Sequence, residues 1–419
     1  MARKKKGSVS FMSLPQDIII EILVRLPVKS LIRFKCVSKA WYDLIIDPSF
    51  VDAHLHHSKS IPGFIVETPI PLEKFDEIVT DIDFDPSFVD TQFDRSEYGP
   101  ESVTESPVLN KINFDPFFFE VKATPKNNKS YFVDMGRSIG DLTLISASCD
   151  GLILLESMST YGLFYICNPA THEWMCLGRH IDPPQGFHIW GLAFDPTISK
   201  YKAIRTCADW GRQEICEIIT IEENFNSWRE VRVPQPHHPR FFPPVFANSS
   251  LYWMIHHRDI PDMKGSLAYD LQSKGHILAM DVSEETFHLI PHPECKSGSY
   301  TLLEMGGLLC FANQVSHTQL DLWVLKDMKK LVWTKEHSIN MMSFTGSTVP
   351  FKSFLDDVLP FAVLENPRRI VFKWPNRRRR LCFYNVEKRT LSKVNLECKF
   401  IPPGRVAPYV HVNSLVSWF

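Results

Sequence analysis

The sequence predicts a two-part protein: a small all-α N-terminal module followed by an all-β, propeller-like domain of six or seven blades. Three observations lead there. Apolar residues recur at three- and four-residue spacing only before residue 55. Beyond residue 60, short apolar runs alternate or cluster as strands do. From residue 145 a unit of about 50 residues recurs, the period of propeller blades.

The helical block opens with Ser13 as a cap, Pro15 in a first turn that tolerates it, and Asp17 where a helix dipole favours an acid. Ile18, Ile19, Ile22, Leu23 and Leu26 form an apolar stripe, and Pro27 stops the helix. Ser30 is read as the cap of a second helix through Leu31, Phe34, Val37, Trp41, Leu44 and Ile45, with Lys29, Arg33, Lys35 and Lys39 interleaved. Asp47-Pro48 ends the block, and Phe50 to Leu55 adds a short turn. A module this small and oily leans on another surface, and two apolar faces with a basic rim suit a partner better than a mere cap.

In the repeat, a short apolar strand leads to a polar turn and then to an anchor: Trp174, Trp228, Phe287, Trp333 and Leu391, spaced 54, 59, 46 and 58 residues apart. A further strand precedes most of these hairpins, as at Gly151 to Leu155, Ser250 to Met254, Gly307 to Phe311 and Arg369 to Phe372. The alternating Tyr409 to Trp418 is expected to pair with early strands and close a ring. Residues 1–10 read as a basic disordered tail, 11–55 as the helical domain, and 60–419 as the β domain with an acidic surface insertion near 73–105.

Composition bounds the function. A net charge of −2 argues against a whole-surface nucleic-acid binder. Ten cysteines scattered without a CxxC pair, no apolar run of membrane length and no secretory leader point to a cytoplasmic or nuclear chain with buried thiols. Arg3 to Lys6 reads as a solubilising tail or a nuclear signal, and Arg377 to Arg380 as a charged turn between strands.

No Gly-rich phosphate loop, GxSxG elbow or HExxH is present. The adjacent His237-His238 and His256-His257 would point to opposite faces of a strand, and His54, His56 and His57 lack a completing ligand, so no metal site or cofactor is expected. Cys149-Asp150-Gly151 reads as a turn over a buried thiol rather than a nucleophile. A non-catalytic binding protein is the expectation.

Ser13 to Phe50 resembles an F-box along its full length, through Leu14-Pro15, the Ile/Leu stripe, Leu26-Pro27, and Arg33 to Lys39 ending in Trp41. The β region resembles the plant F-box-associated domain of the F-box/kelch type. The matching pieces are Cys149-Asp150-Gly151-Leu152, Asn168-Pro169-Ala170-Thr171 before Trp174, Gly191 to Pro196, Leu251-Tyr252-Trp253, Trp323 to Leu325 before Trp333, and Ser414-Leu415-Val416. A regular kelch double glycine is missing.

The resemblance implies a substrate receptor of an SCF-type cullin–RING ubiquitin ligase, joined through a Skp-family adaptor. It carries adaptor contact onto Leu14, Pro15, Ile18, Ile22, Leu23, Leu26, Pro27, Leu31, Phe34, Val37 and Trp41, with Lys35, Ser38 and Lys39 at the rim. Target contact is assigned to loop aromatics and basics: Phe187, His188 and Trp190; His237, His238, Arg240 and Phe241; His256, His257 and Arg258. Each has ordinary loop packing as its alternative. Rival readings are an adaptor-bound scaffold outside proteolysis and a propeller that binds or hydrolyses sugars. The target protein is unknown; neither nucleic acid nor membrane is expected as a partner.

Overall fold

The computed structural model describes residues 15–60, 63–71, 114–121, 130–133, 143–157, 160–179, 187–208, 215–222, 227–233, 243–255, 276–294, 299–316, 319–340, 360–365, 368–373, 380–395 and 408–418. Four helices come first: α1 (Gln16–Leu23), α2 (Val28–Phe34), α3 (Lys39–Ile46) and α4 (Pro48–Lys59). The expected second helix is two. Pro27, not Ser30, occupies the N-cap of α2, and a turn at Lys35 to Val37 separates it from α3. The break comes from Ser38, whose backbone is extended and whose Oγ accepts the Trp41 N–H at 3.3 Å, and so a new helix starts. Asp47-Pro48 likewise begins a helix rather than ending the block: Asp47 accepts from Ser49 N at 2.9 Å and Pro48 takes the first helical position.

The β domain begins with β1 (Gly63–Pro71), β2 (Phe114–Val121) and β3 (Ser130–Val133). Five blades follow, each of four consecutive antiparallel strands. The first holds β4 (Thr143–Cys149), β5 (Leu152–Ser157), β6 (Leu163–Asn168) and β7 (Glu173–Arg179). The second holds β8 (Phe187–Asp195), β9 (Lys200–Ala208), β10 (Ile215–Thr220) and β11 (Arg229–Val231). The third holds β12 (Val245–Ala247), β13 (Ser250–Met254), β14 (His276–Asp281) and β15 (Phe287–Pro291). In the fourth are β16 (Ser299–Met305), β17 (Leu308–Ser316), β18 (Gln319–Asp327) and β19 (Val332–Asn340), and in the fifth β20 (Pro360–Glu365), β21 (Arg368–Lys373), β22 (Arg380–Asn385) and β23 (Thr390–Asn395).

The expectation of six or seven blades is corrected to five built from consecutive strands. The chain ahead of β1 is helical, so the repeat cannot supply that sheet's first strand. Instead β24 (Pro408–His411) pairs antiparallel with β1, Gly63 facing His411, and completes a composite sheet in the order β24-β1-β2-β3. The alternating stretch from Tyr409 thus does join the earliest strand.

The recurring unit has a physical basis. In four blades an Asx residue ends the third strand, and its side-chain oxygen accepts a backbone N–H two or three residues on: Asn168 from Ala170, Asp281 from Ser283, Asp327 from Lys329 and Asn385 from Lys388. Four residues after each stands a left-handed residue, His172, Glu285, Leu331 or Arg389. Two residues later comes the anchor, so Trp174, Phe287, Trp333 and Leu391 all lie at the second position or first position of the outermost strand.

The inner strands of the blades are apolar on both faces. β5 and β13 are buried at every position, and a hydrophobic layer fills each space between successive blades. A charged clamp ties the second blade to the third. Buried Lys202 Nζ lies 2.7 Å from Asp195 Oδ2, Glu285 Oε1 and Val282 O, while Ser283 Oγ donates to Asp195 at 2.8 Å and Arg229 pairs with Glu285. Burial pushes the Asp195 carboxyl up, but the donors of Lys202, Thr197 and Ser283 outweigh it and hold it well below the usual range. Lys202→Met, which takes the cation from buried Asp195 and leaves Glu285 with Arg229 alone, should cost about 3–5 kcal/mol, read as a fall in the urea midpoint.

His411 sits where the composite sheet meets the first blade, buried, with Nδ1 3.3 Å from Ser148 Oγ. Burial drives its pKa down to about 3 from an ordinary 6.5. The unfolded chain therefore binds a proton that the folded chain refuses, and stability drains away as pH falls from about 6.5 towards 3. Each pH unit of that gap is worth about 1.4 kcal/mol. Denaturation series at stepped pH should show this limb in the wild type and its loss in His411→Asn.

Candidate protein-docking site

The helical module has an inside and an outside, and the expected contact positions divide between them. Leu23, Val28, Leu31, Ile45 and Phe50 form its core together with Leu415, which arrives from beyond β24. Phe34 and Trp41 meet edge to face at 5.1 Å and, with Leu26, are half-buried around that core. His54 from α4 closes the module from below. Its Nε2 stands 3.1 Å from Leu26 O at the α1–α2 junction, and its ring stacks on Phe50. Burial pulls the His54 pKa down, with the Leu26 carbonyl opposing it.

Facing outward are Ile18 and Ile22, 46% and 50% exposed, one turn apart on α1, and Val37, 64% exposed, in the α2–α3 turn. Pro15 and Pro27, Ser38, Lys29, Arg33 and Lys39 are exposed beside them, with Lys35 half-buried. Leu14 lies outside the described residues. Sequence reading missed two members of this surface: Tyr42 and Ile46 on α3, 47% and 43% exposed. Their spacing of four, offset from the Trp41/Ile45 core stripe, is the signal that could have found them. Large apolar side chains left open on a helical module whose core is already filled make a candidate docking surface.

The other end of the molecule follows from strand order. In every blade the turns after the first and third strands lie at one end, and the helical module is seated there. Lys59 Nζ pairs with Asp150 at 2.6 Å in the β4–β5 turn, and Ala170 of the β6–β7 turn touches the module core. Eight of these turns carry left-handed residues, such as Asp150, Ser199, Asn248 and Gly307. Cys149, beside Asp150, is buried in the core layer of the first two blades, and burial pushes its thiol pKa up.

Long connections flank strand ends at the opposite end: 72–113, 234–242, 256–275, 341–359, 374–379 and 396–407. His237, His238, Arg240, Phe241, His256, His257, Arg258, Arg377 to Arg379 and the acidic stretch 73–105 all fall in them, outside the described residues. Phe187 and His188 start β8 at that same end, where half-buried His188 lies 6.5 Å from the exposed ring of Tyr161. Trp190 does not reach the surface. It is 5% exposed, packed on Phe164 and Trp228, with the Arg205 guanidinium 5.5 Å from its ring and Glu217 as the ion-pair partner. Among the described residues no cluster of three His, Cys, Asp or Glu could hold a metal, and no helix is long and apolar enough to cross a membrane.

A helical docking module seated on one end of a β-propeller, with long connections at the other, defines a protein-interaction adaptor. Residues 11–52 match the F-box domain, and residues 109–402 match the F-box associated beta propeller domain. A putative F-box/kelch-repeat protein of Arabidopsis thaliana is 26% identical over 372 residues, covering 80% of this chain and 74% of the relative. A second Arabidopsis F-box protein is 24% identical, covering 92% and 90%, and F-box protein CPR1 of Arabidopsis is 22% identical, covering 96% and 89%. The chain belongs to the plant F-box proteins with an F-box associated β-propeller domain.

His54→Ala removes a buried ring and leaves the Leu26 carbonyl without its donor. It should cost about 2–4 kcal/mol of helical-module stability, read as earlier amide exchange in α1 and α4 than in the blades.

Proposed function

We propose that this chain is the substrate receptor of an SCF-type cullin–RING ubiquitin ligase. The helical module docks a Skp-family adaptor, which brings the cullin and RING subunits, and the far end of the propeller holds the protein to be modified. The observation that carries this reading is the separation of ends: exposed Ile18, Ile22, Val37, Tyr42 and Ile46 belong to the helical module, whereas the strand ends flanking the long connections lie across the propeller. A receptor needs those two surfaces apart, because the adaptor must not cover what the target touches.

The division of the helical residues refines the docking surface. Ile18, Ile22, Val37, Tyr42 and Ile46, rimmed by Lys29, Arg33, Ser38 and Lys39, offer area to the adaptor. Leu23 and Leu31 hold the helices that present them, and Phe34, Leu26 and Trp41 do some of each. At the far end, His188 with Tyr161 and the connections bearing His237 to Phe241 and His256 to Arg258 are the target side. The receptor catalyses nothing and works by raising the concentration of target lysines near the charged conjugating enzyme.

Ile22→Asp and Val37→Asp place a charge on the surface without touching the core, so the melting temperature should stay within about 2 °C. Binding of a purified Skp-family adaptor should weaken roughly 30-fold or more at a central position. Wild-type chain that fails to bind the adaptor, or binding indifferent to both substitutions, would overturn the assignment.

A further inference from the structure

The segment that follows β24 belongs to both parts of the molecule. Leu415 is 6% exposed inside the helical core, while Val412, Val416 and Trp418 lie in the layer shared by the first and second blades. That layer also takes Leu55 and Val51 from α4. The alternation of one side chain into the helices between others into the propeller is what stitches the two together.

The first blade carries a fitting for this segment that the repeat unit does not require. Asn168 uses Oδ1 for the turn to Ala170, as Asp281 does for Ser283 and Asp327 for Lys329, but its Nδ2 donates to Ser414 O at 3.1 Å and Val416 O at 2.8 Å. A carboxylate has no hydrogen to give, so only the amide serves both purposes. Ser414 Oγ donates to Asp150 O at 2.6 Å and accepts from Val416 N. Opposite it, Gly151 has φ +92°, and a Cβ there would overlap Ser414 Oγ and stand 2.8 Å from Val412 O. The glycine is needed for close approach as well as for the turn. Asp150 completes the joint, its carboxylate held by Lys59 Nζ of α4 and by Tyr201 Oη at 3.2 Å.

We propose that residues 412–418 act as a strap that fixes the orientation of the helical module on the propeller, with Asn168 as its positioning residue. Resting on the receptor reading, the role of the strap is to hold the target end at one place relative to the docked adaptor. The strap itself is independent of that reading, since its contacts are internal.

The test uses the full chain with Cys295 and Cys398 replaced by serine, so that spin labels go to the exposed native thiols Cys36 in the helical module and Cys176 in the first blade. Wild-type protein should give one narrow inter-label distance. Asn168→Ser keeps a hydroxyl to cap the turn but cannot reach both carbonyls, and Leu415→Ser withdraws the plug from the helical core. Both should broaden the distribution at least twofold while the blade melting transition is retained. If Leu415→Ser fails to fold, Lys59→Met, a surface change on the other side of the joint, takes its place beside Asn168→Ser. A wild-type distribution already broad, or one unmoved by Asn168→Ser and the companion variant, overturns the strap. Adaptor affinity of Asn168→Ser, measured separately, should change less than threefold, because Leu415 still fills the helical core; loss of adaptor binding by the wild type would sink the receptor reading and leave the distance result standing.

Discussion

A four-stranded sheet that is apolar on both faces cannot exist alone in water. β5 and β13 have no wet face. Every other feature of the β domain answers this constraint. Blades stack so that one layer of side chains serves two sheets, and the repeated Asx turn with its left-handed residue brings each outermost strand back in the same register. Where charge enters the stack, as at Lys202 or Arg205, it arrives with carboxylate partners in place.

The constraint reaches the helical module too. The sheet that starts at β1 would lack an inner strand, and β24 supplies it. Having brought the chain there, the fold continues it between propeller and helices, filling the helical core with Leu415. The docking module is thus an extension of the propeller's packing rather than a bead on a flexible thread. Its outward-facing residues are spared from that packing and remain open to a partner.

Much of this was legible in the residues, for identifiable reasons. The five anchors were visible because an apolar run, a polar turn and an aromatic or leucine recur in the letters, and the Tyr409 stretch was visible as a strand because its apolar residues alternate. The helical stripe was visible too, but its division was not. Periodicity marks Leu23 and Ile22 alike as apolar, and only the neighbours decide which is buried. Trp190 shows the same limit from the other side. Read as a contact residue, it is instead a wall around Arg205, because aromatic rings serve a core as readily as a surface. The helix break at Ser38 escaped because the stripe runs through it unbroken, while the cap is a single hydrogen bond. Leu415 as part of the helical core could not be read at all: the contact is tertiary and leaves no local pattern.

That last contact sets an order of events. During synthesis residues 15–60 emerge well before residues 408–418, yet their core is not complete until Leu415 has been made. The loop between these segments is among the slowest a chain of this length can close. A nascent or prematurely terminated chain therefore offers a hollow module, and the finished docking surface is a mark of a completely assembled propeller.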